Sequence, residues 1–167
     1  MHNSLLDWIY ASLQSGMDEG SLILSLTECL TVPLGLALRQ REARRRLRST
    51  VKRSARIQWV DENEARFLPR IDDFLLPPLL EIMSRELFRI ARRPLTAKEL
   101  LVALPITNKE RLRWTKDGRL MQQGAASMKR GQAISVTTYA IGPVEALLAN
   151  PEEVERWRAR DLWLDTR

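Results

Sequence analysis

The segment LTAKELLVALPITNKERLRWTKDGRL, residues 95–120, carries two helix-start signals eleven residues apart. Each signal is a threonine followed three positions later by a glutamate: Thr96 with Glu99, and Thr107 with Glu110. In such a capping box the hydroxyl accepts a hydrogen bond from the amide three residues on, and the carboxylate accepts one from the threonine amide. The spacing therefore predicts the N-termini of two consecutive helices.

The sequence also predicts where each of these helices ends. The first is expected over about 97–104, where Pro105 ends it, and the second over about 108–117, where Gly118 provides a C-cap. Two short helices joined by so tight a turn have the spacing of a helix-turn-helix.

The second helix is predicted to present a basic stripe. At 100° per residue, Lys109, Arg113 and Lys116 fall on one side, whereas Leu112 is the only aliphatic residue. We expect Trp114 and Leu112 to anchor the helix against the leucines of the helix before it. The stripe then either enters the major groove of DNA or remains a solvated helix face, which is the commoner case.

A β-hairpin is predicted after the second helix. Residues 133–141 form the only β-branched run, and residues 120–122 can supply a short partner strand. The loop between them carries Lys129 and Arg130 at its tip. This arrangement is typical of a basic wing.

Residues 95–120 resemble the N-terminal part of the excisionase/MerR-type winged helix-turn-helix domain. The matching residues are Leu95, Thr96, Lys98, Glu99, Leu104, Ile106, Thr107, Arg113, Lys116, Gly118, Arg119 and Leu120. The chain departs from the family pattern at Leu100–Leu101, Pro105 and Arg111. The resemblance implies that the helix after Thr107 and the wing bind DNA, and that no cofactor is needed.

The predicted DNA contacts combine the second helix, its C-terminal turn and the wing. They are Asn108, Lys109, Arg111, Arg113, Lys116, Arg119, Lys129 and Arg130.

The first ninety residues are predicted to be helical. The longest helix is expected over about 35–60, with a narrow apolar seam of Leu36, Ala43, Leu47, Val51 and Ala55. This seam suggests pairing of two subunits. Further helices are expected before Gly16, over 21–38 with a break near 31–33, from Asp61, and after Pro77–Pro78. Pro94 marks the predicted domain boundary.

The same long helix supplies a possible second basic surface. Nine cations lie within eighteen residues: Arg39, Arg41, Arg44, Arg45, Arg46, Arg48, Lys52, Arg53 and Arg56. They could follow a phosphate backbone. They could equally pair with acids such as Asp61 and Glu62, and both alternatives stay open.

Other functional classes find little support in the sequence. One cysteine, Cys29, excludes an internal disulfide and a cysteine-based metal cluster, and the one histidine is His2. We therefore expect neither catalytic residues nor a metal site nor a cofactor. Residues 21–38 are nearly uncharged, but Glu28 and Pro33 disfavour a membrane span. The single cysteine favours a reducing, cytoplasmic setting, and the DNA-binding interpretation favours a protein of a bacterium or mobile element.

Together these patterns predict a mostly α protein with a helical domain over 1–93, for self-association or partner binding, and a winged helix-turn-helix domain over 94–167. The net charge of +6 favours a polyanionic partner. The expected function is sequence-specific binding of double-stranded DNA by a homodimer, in transcriptional regulation or as a recombination factor. The alternative is a subunit of a larger complex, in which the arginine-rich helix over 36–60 docks an acidic partner or nucleic acid.

Overall fold

The computed structural model describes residues 2–15, 21–52, 57–67, 75–130 and 132–166. The chain forms two compact units, residues 1–93 and 94–167. The architecture is mostly helical with small antiparallel sheets. The change of sequence pattern at Pro94 coincides with the division between the units.

Unit 1 places helices against a four-stranded antiparallel sheet of order β1-β2-β4-β3. Its elements are α1 (His2–Ala11), β1 (Leu13–Ser15), β2 (Leu22–Ser25), α2 (Thr27–Thr31), α3 (Leu34–Ala37), α4 (Gln40–Val51), β3 (Ile57–Trp59), β4 (Glu64–Phe67) and α5 (Leu76–Ala91).

The sheet corrects the prediction that the first ninety residues are entirely helical. Leu22 pairs with Phe67 and Leu24 with Ala65 in the β2–β4 register. In β4 the buried residues Ala65 and Phe67 alternate with half-buried Glu64 and Arg66, which is the period of a strand. Short apolar segments such as β2 cannot be distinguished from helix by periodicity alone.

Asp61 starts a turn and not the predicted helix. Its Oδ1 accepts hydrogen bonds from the amides of Asn63, at 2.6 Å, and Glu64, at 2.7 Å. A short acidic side chain that binds the backbone two and three residues ahead stabilises a turn, here the connection from β3 to β4.

The predicted helix over 35–60 is shorter and interrupted. It consists of α3 and α4, and Ile57–Trp59 form a strand. The seam residues Leu36, Ala43, Leu47 and Val51 are at most 1% exposed in the single chain; Ala55 lies outside the described residues. Because these residues lie in the core of unit 1, the seam is not an open surface through which two subunits could pair.

Two features of the predicted unit 1 are confirmed. The segment over 21–38 breaks at Val32–Pro33, between α2 and α3, although its beginning is strand β2. The helix predicted after Pro77–Pro78 is α5, which begins at Leu76 and includes both prolines in its first turn. Its buried face contains Leu79, Leu80, Met83, Leu87 and Ile90. Among the described residues, no helix has the length and apolar character that crossing a bilayer requires.

Unit 2 contains a three-stranded antiparallel sheet of order β5-β7-β6. Its elements are β5 (Leu95–Thr96), α6 (Ala97–Ala103), α7 (Asn108–Lys116), β6 (Gln122–Arg130), β7 (Gln132–Tyr139), α8 (Ile141–Ala149) and α9 (Pro151–Asp165). Two helices therefore lie in sequence between the first strand and a hairpin.

The hairpin is longer than predicted. Strand pairing continues to Lys129 with Ala133 and Arg130 with Gln132, where a loop was expected. Its base contains a register shift at Gln122/Gly124. Gly124 has φ +123°, a conformation that L side chains rarely adopt, so glycine suits this irregularity.

Candidate nucleic-acid interface

Both predicted capping boxes are present, at the N-termini of α6 and α7. Thr107 Oγ1 accepts from the Glu110 amide at 3.1 Å, and Glu110 Oε2 accepts from the Thr107 amide at 2.6 Å. Thr96 and Glu99 make the same pair of contacts at the start of α6. The local sequence alone thus fixes where each helix begins.

The turn between α6 and α7 is tight and anchored. Leu104 and Ile106 are buried, and the Ile106 amide donates to the Leu104 carbonyl at 2.8 Å. The Pro105 carbonyl accepts from Arg158 of α9 at 2.6 Å. These contacts hold the N-terminus of α7 in a fixed position.

Trp114 anchors α7 to α9. Its ring is 0% exposed, and its Nε1 donates to Asp161 Oδ2 at 2.8 Å. Trp157 meets it edge to face, with 5.0 Å between ring centroids. Trp114 is thus a buried anchor of α7, as predicted, but its described contacts are with α9 and not with the leucines of α6.

Charged contacts also bind α7 to α9. Arg158 Nε donates to Glu110 Oε1 at 2.7 Å, and Arg113 Nη2 donates to Asp165 Oδ2 at 3.0 Å. Asp161 Oδ2 lies 3.4 Å from Arg113 Nη1. The side of α7 that carries Glu110, Arg113 and Trp114 therefore faces α9.

The sheet covers another side of α7. Arg111 Nη1 donates to the Tyr139 hydroxyl at 2.7 Å, and Thr115 Oγ1 lies 3.0 Å from the same oxygen. Tyr139, at the end of β7, is 1% exposed. Arg111 is thus half-buried and held against the sheet.

The remaining side of α7 is open. Asn108, Lys109, Leu112 and Lys116 are exposed, and at 100° per residue they span about a quarter of the circumference. Leu112 is 55% exposed, so its predicted role as an anchor to α6 is wrong. We call these four residues the outer face of α7.

The structure places the predicted site residues in different surroundings. Asn108, Lys109 and Lys116 lie on the outer face, and Asn108 Oδ1 accepts from Arg111 Nε at 2.9 Å. Arg113 is engaged with the carboxylates of α9. For Lys129 and Arg130 only the backbone, at the end of β6, belongs to the described structure.

Arg119 has a structural role that the sequence did not indicate. Its guanidinium donates to Asp161 Oδ1 at 2.6 Å, contacts Asp117, and lies over the rings of Trp114 and Trp157. Only 17% of its side chain is exposed. This burial stands against the predicted DNA contact, because the cation is already bound to acids of the same chain.

Three acids of this unit, Glu110, Asp117 and Asp161, are stabilised in their charged form. Hydrogen bonds from Arg158 lower the pKa of Glu110, and hydrogen bonds from Arg119 lower that of Asp117. Burial acts to raise the pKa of Asp161, but hydrogen bonds from Trp114 and Arg119 lower it on balance. The acids beside α7 therefore neutralise Arg113 and Arg119 and leave the outer face positive.

Asp161, which accepts hydrogen bonds from Trp114 and Arg119 and so holds α7 in place, was not predicted from the sequence. It lies on α9 at helical spacing from buried Val154 and half-buried Trp157, and is itself 8% exposed. An acid on an apolar stripe is a signal for a buried polar contact, but its partner on a distant segment is not visible in sequence.

The arginine block of unit 1 is divided by the fold. Arg39 is buried and donates to the Ile90 carbonyl at 2.8 Å, Arg44 pairs with Glu62 at 3.1 Å, and Arg48 lies over Trp59. Arg41, Arg45, Arg46 and Lys52 are exposed. Arg53 and Arg56 lie outside the described residues.

The predicted pairing with acids is therefore correct for part of the block. Arg44 joins the predicted partner Glu62, and Arg46 joins Glu86 of α5 at 2.7 Å. Arg48 donates to the backbone carbonyl of Asp61, at 3.1 Å, which is not an ion pair. Exposed Arg45 and Arg46 line a groove shared with α5, whereas Arg41 lies beside Arg44, Arg48 and Glu62.

Comparison with known proteins identifies no relative: no family model, no curated protein and no solved structure matches the chain significantly.

Proposed function

We propose that this protein binds double-stranded DNA through the outer face of α7, inserted in the major groove, with the β6–β7 hairpin as a wing beside it. The arrangement of unit 2, strand–helix–turn–helix–hairpin, supports a winged helix-turn-helix. Sequence-specific binding of this kind serves transcriptional regulation or a recombination complex.

One observation carries the proposal: α7 turns its only acid away from its exposed side. Glu110 is bound by Arg158 and by the helix N-terminus, whereas the outer face contains two lysines, an amide and a leucine. The outer face therefore carries no carboxylate that would repel the negatively charged phosphates of DNA.

The chemistry of the outer face fits the floor of the major groove. Lysine can donate to guanine O6 and N7, and the Asn108 amide can pair with adenine N6 and N7. Asn108 and Lys109 occupy the first turn of α7, the part of a recognition helix that meets base edges. Leu112, between them and Lys116, is suited to the methyl group of thymine.

The supporting contacts give the face a fixed orientation. A charged helix with one buried residue has little apolar area to hold it. Trp114, Glu110 and Arg111 nevertheless tie α7 to α9 and to the sheet on two sides. Rigid support of this kind is needed where side chains must meet bases in register.

The test combines site selection with a matched charge control. Duplexes selected by the full-length protein from a random library are titrated by fluorescence anisotropy over a range of salt. For Lys109→Ala/Lys116→Ala we expect loss of sequence preference and a salt slope reduced by about 2, since each lost phosphate contact changes the slope by about 0.9. If one of the two lysines contacts a base and not a phosphate, its removal contributes to the loss of sequence preference and not to the change of salt slope.

The control Arg156→Ala/Arg160→Ala removes two exposed arginines of α9. On the α9 wheel they lie on the side opposite Arg158, Asp161 and Asp165, which face α7. It is expected to bind as wild type does. If both double variants keep the selected sequence and affinity, α7 is not the recognition helix.

A further inference from the structure

A groove of unit 1 lies between α4 and α5 and is lined with arginine. Its volume is about 1060 Å³. The cationic residues along its walls are Arg45 and Arg46 of α4 and Arg85, Arg89, Arg92 and Arg93 of α5 and its end. Sequence reasoning considered only the α4 arginines, because the cations of α5 are dispersed along an otherwise apolar helix.

The groove keeps an excess of positive charge after its internal pairs are formed. Glu42 is bound by Arg93 at 2.6 Å, and Glu86 by Arg46 at 2.7 Å and by Arg89 at 3.0 Å. Hydrogen bonds from Arg93 lower the pKa of Glu42, and those from Arg46 lower that of Glu86. Two carboxylates therefore face six guanidinium groups.

Three of these arginines are available to a ligand. Within the described part of the chain, Arg45, Arg85 and Arg92 are exposed and make no ion pair. Arg92 lies over the Phe88 ring at 5.1 Å, an arrangement that holds the guanidinium flat while its edge can still donate. Guanidinium edges of this kind bind the two oxygens of a phosphate.

We propose that the α4–α5 groove is a second polyanion site, which binds the phosphodiester backbone of nucleic acid without regard to base sequence. The inference rests on unit 1 alone and does not depend on the role of α7. It assigns to unit 1 a direct part in nucleic-acid binding.

The length of the groove matches a short run of phosphates. Its walls extend from Glu42 to Ser49 on α4 and from Arg85 to Arg92 on α5, about 10 Å each at 1.5 Å per residue. One DNA strand carries a phosphate about every 3.4 Å along the duplex axis, so about three phosphates fit this length.

A phosphate backbone suits the groove better than an acidic peptide. Peptide partners are anchored by apolar side chains in open, desolvated pockets. Here Ile90 is 5% exposed and Phe88 is half-buried with the guanidinium of Arg92 over its ring, so neither large apolar side chain of the lining is fully open. The charged groups of the lining are mainly guanidiniums, which donate to phosphate oxygens.

The experiment measures binding of the full-length protein to random-sequence duplex and single-stranded oligonucleotides as salt is raised. For Arg45→Ala/Arg85→Ala we expect a duplex salt slope smaller by about 2, with the loss of affinity equal for all sequences. Both residues are exposed and outside the internal ion pairs, so the fold is expected to remain intact. Arg85→Glu provides a second variant, with a larger loss of affinity than Arg85→Ala.

The control is again Arg156→Ala/Arg160→Ala, which is expected to match wild type. A groove variant whose salt slope equals that of this control overturns the inference. So does a groove variant that loses affinity for poly-glutamate while its nucleic-acid slope is unchanged, because that result assigns the groove to an acidic protein partner. Failure of the α7 proposal can be told apart from failure of this one. It appears as an unchanged sequence preference in Lys109→Ala/Lys116→Ala, and it leaves the salt slope of the groove variants unaffected.

Discussion

The Trp114 indole donates to Asp161 Oδ2 at 2.8 Å, and this buried hydrogen bond links the centre of α7 to α9. Trp114 is 0% exposed and Asp161 is 8% exposed. Asp161 also neutralises Arg119, whose Nη2 lies 2.6 Å from its other oxygen. The orientation of the outer face of α7 therefore depends on a residue forty-seven positions away.

Removing this acid is expected to destabilise unit 2. Asp161→Ala leaves the buried Trp114 indole N–H without its acceptor and removes one of the two carboxylates that bind the largely buried Arg119, so we expect a loss of about 2–4 kcal/mol in the free energy of unfolding. Urea denaturation followed by tryptophan fluorescence measures it. Asp165→Ala is the matched control: its side chain is 60% exposed, and removing an exposed ion pair costs at most about 1 kcal/mol. Equal losses in the two variants would contradict the assigned role of Asp161.

The stability of unit 2 is expected to depend on pH through the same residue. Because the folded-state pKa of Asp161 is lowered, its charge stabilises the fold above the unfolded-state pKa of about 3.9. That contribution is lost as the pH falls through the lower, folded-state pKa. The stability difference between wild type and Asp161→Asn should therefore be largest near neutral pH and shrink in acid. Exchange of the Trp114 indole proton, followed by NMR, measures it locally; a difference that stays constant down to acid pH would exclude this linkage.

Leu112 is expected to distinguish thymine from uracil, if α7 lies in the major groove. The two bases differ only by the methyl group that an exposed leucine can contact. Replacing thymine by deoxyuridine throughout a selected duplex should weaken wild-type binding about fourfold per contacted methyl, from ~0.8 kcal/mol per buried methyl-sized group. Leu112→Ala should be insensitive to this replacement. The same sensitivity in both proteins would place Leu112 away from the bases.

Gly35 is expected to be intolerant of any side chain. A Cβ at this position of α3 would collide with the backbone carbonyl of Ala91 at the end of α5. Backbone cannot move aside as a side chain tip can, so Gly35→Ala should destabilise unit 1 by about 1–3 kcal/mol in urea denaturation. Gly142→Ala in α8 is the control, because a Cβ there meets nothing within 4 Å. It should be neutral or stabilise by up to about 1 kcal/mol; an equal loss in both would refute the packing argument.

The limits of sequence reasoning are clearest in unit 1. Short strands such as Leu22–Ser25 and Glu64–Phe67 gain their stability from pairing with each other, forty residues apart in the chain. Nothing within either segment distinguishes it from one or two helical turns. The sequence leaves open which arginines of α4 are exposed for the same reason: their partners lie on β3, in the turn between β3 and β4, and on α5.

By itself, the sequence determined the local features of this protein. Two capping boxes fixed the start of α6 and α7 because donor and acceptor lie three residues apart in the chain. The tertiary structure alone decided which side of α7 is open. Contacts from Asp161, Arg158 and Tyr139 cover two sides of the helix, occupy Arg113 and bury Trp114, and they leave Leu112 outward with the two lysines. A helical period defines faces, but the partners that fold against it select which face meets solvent.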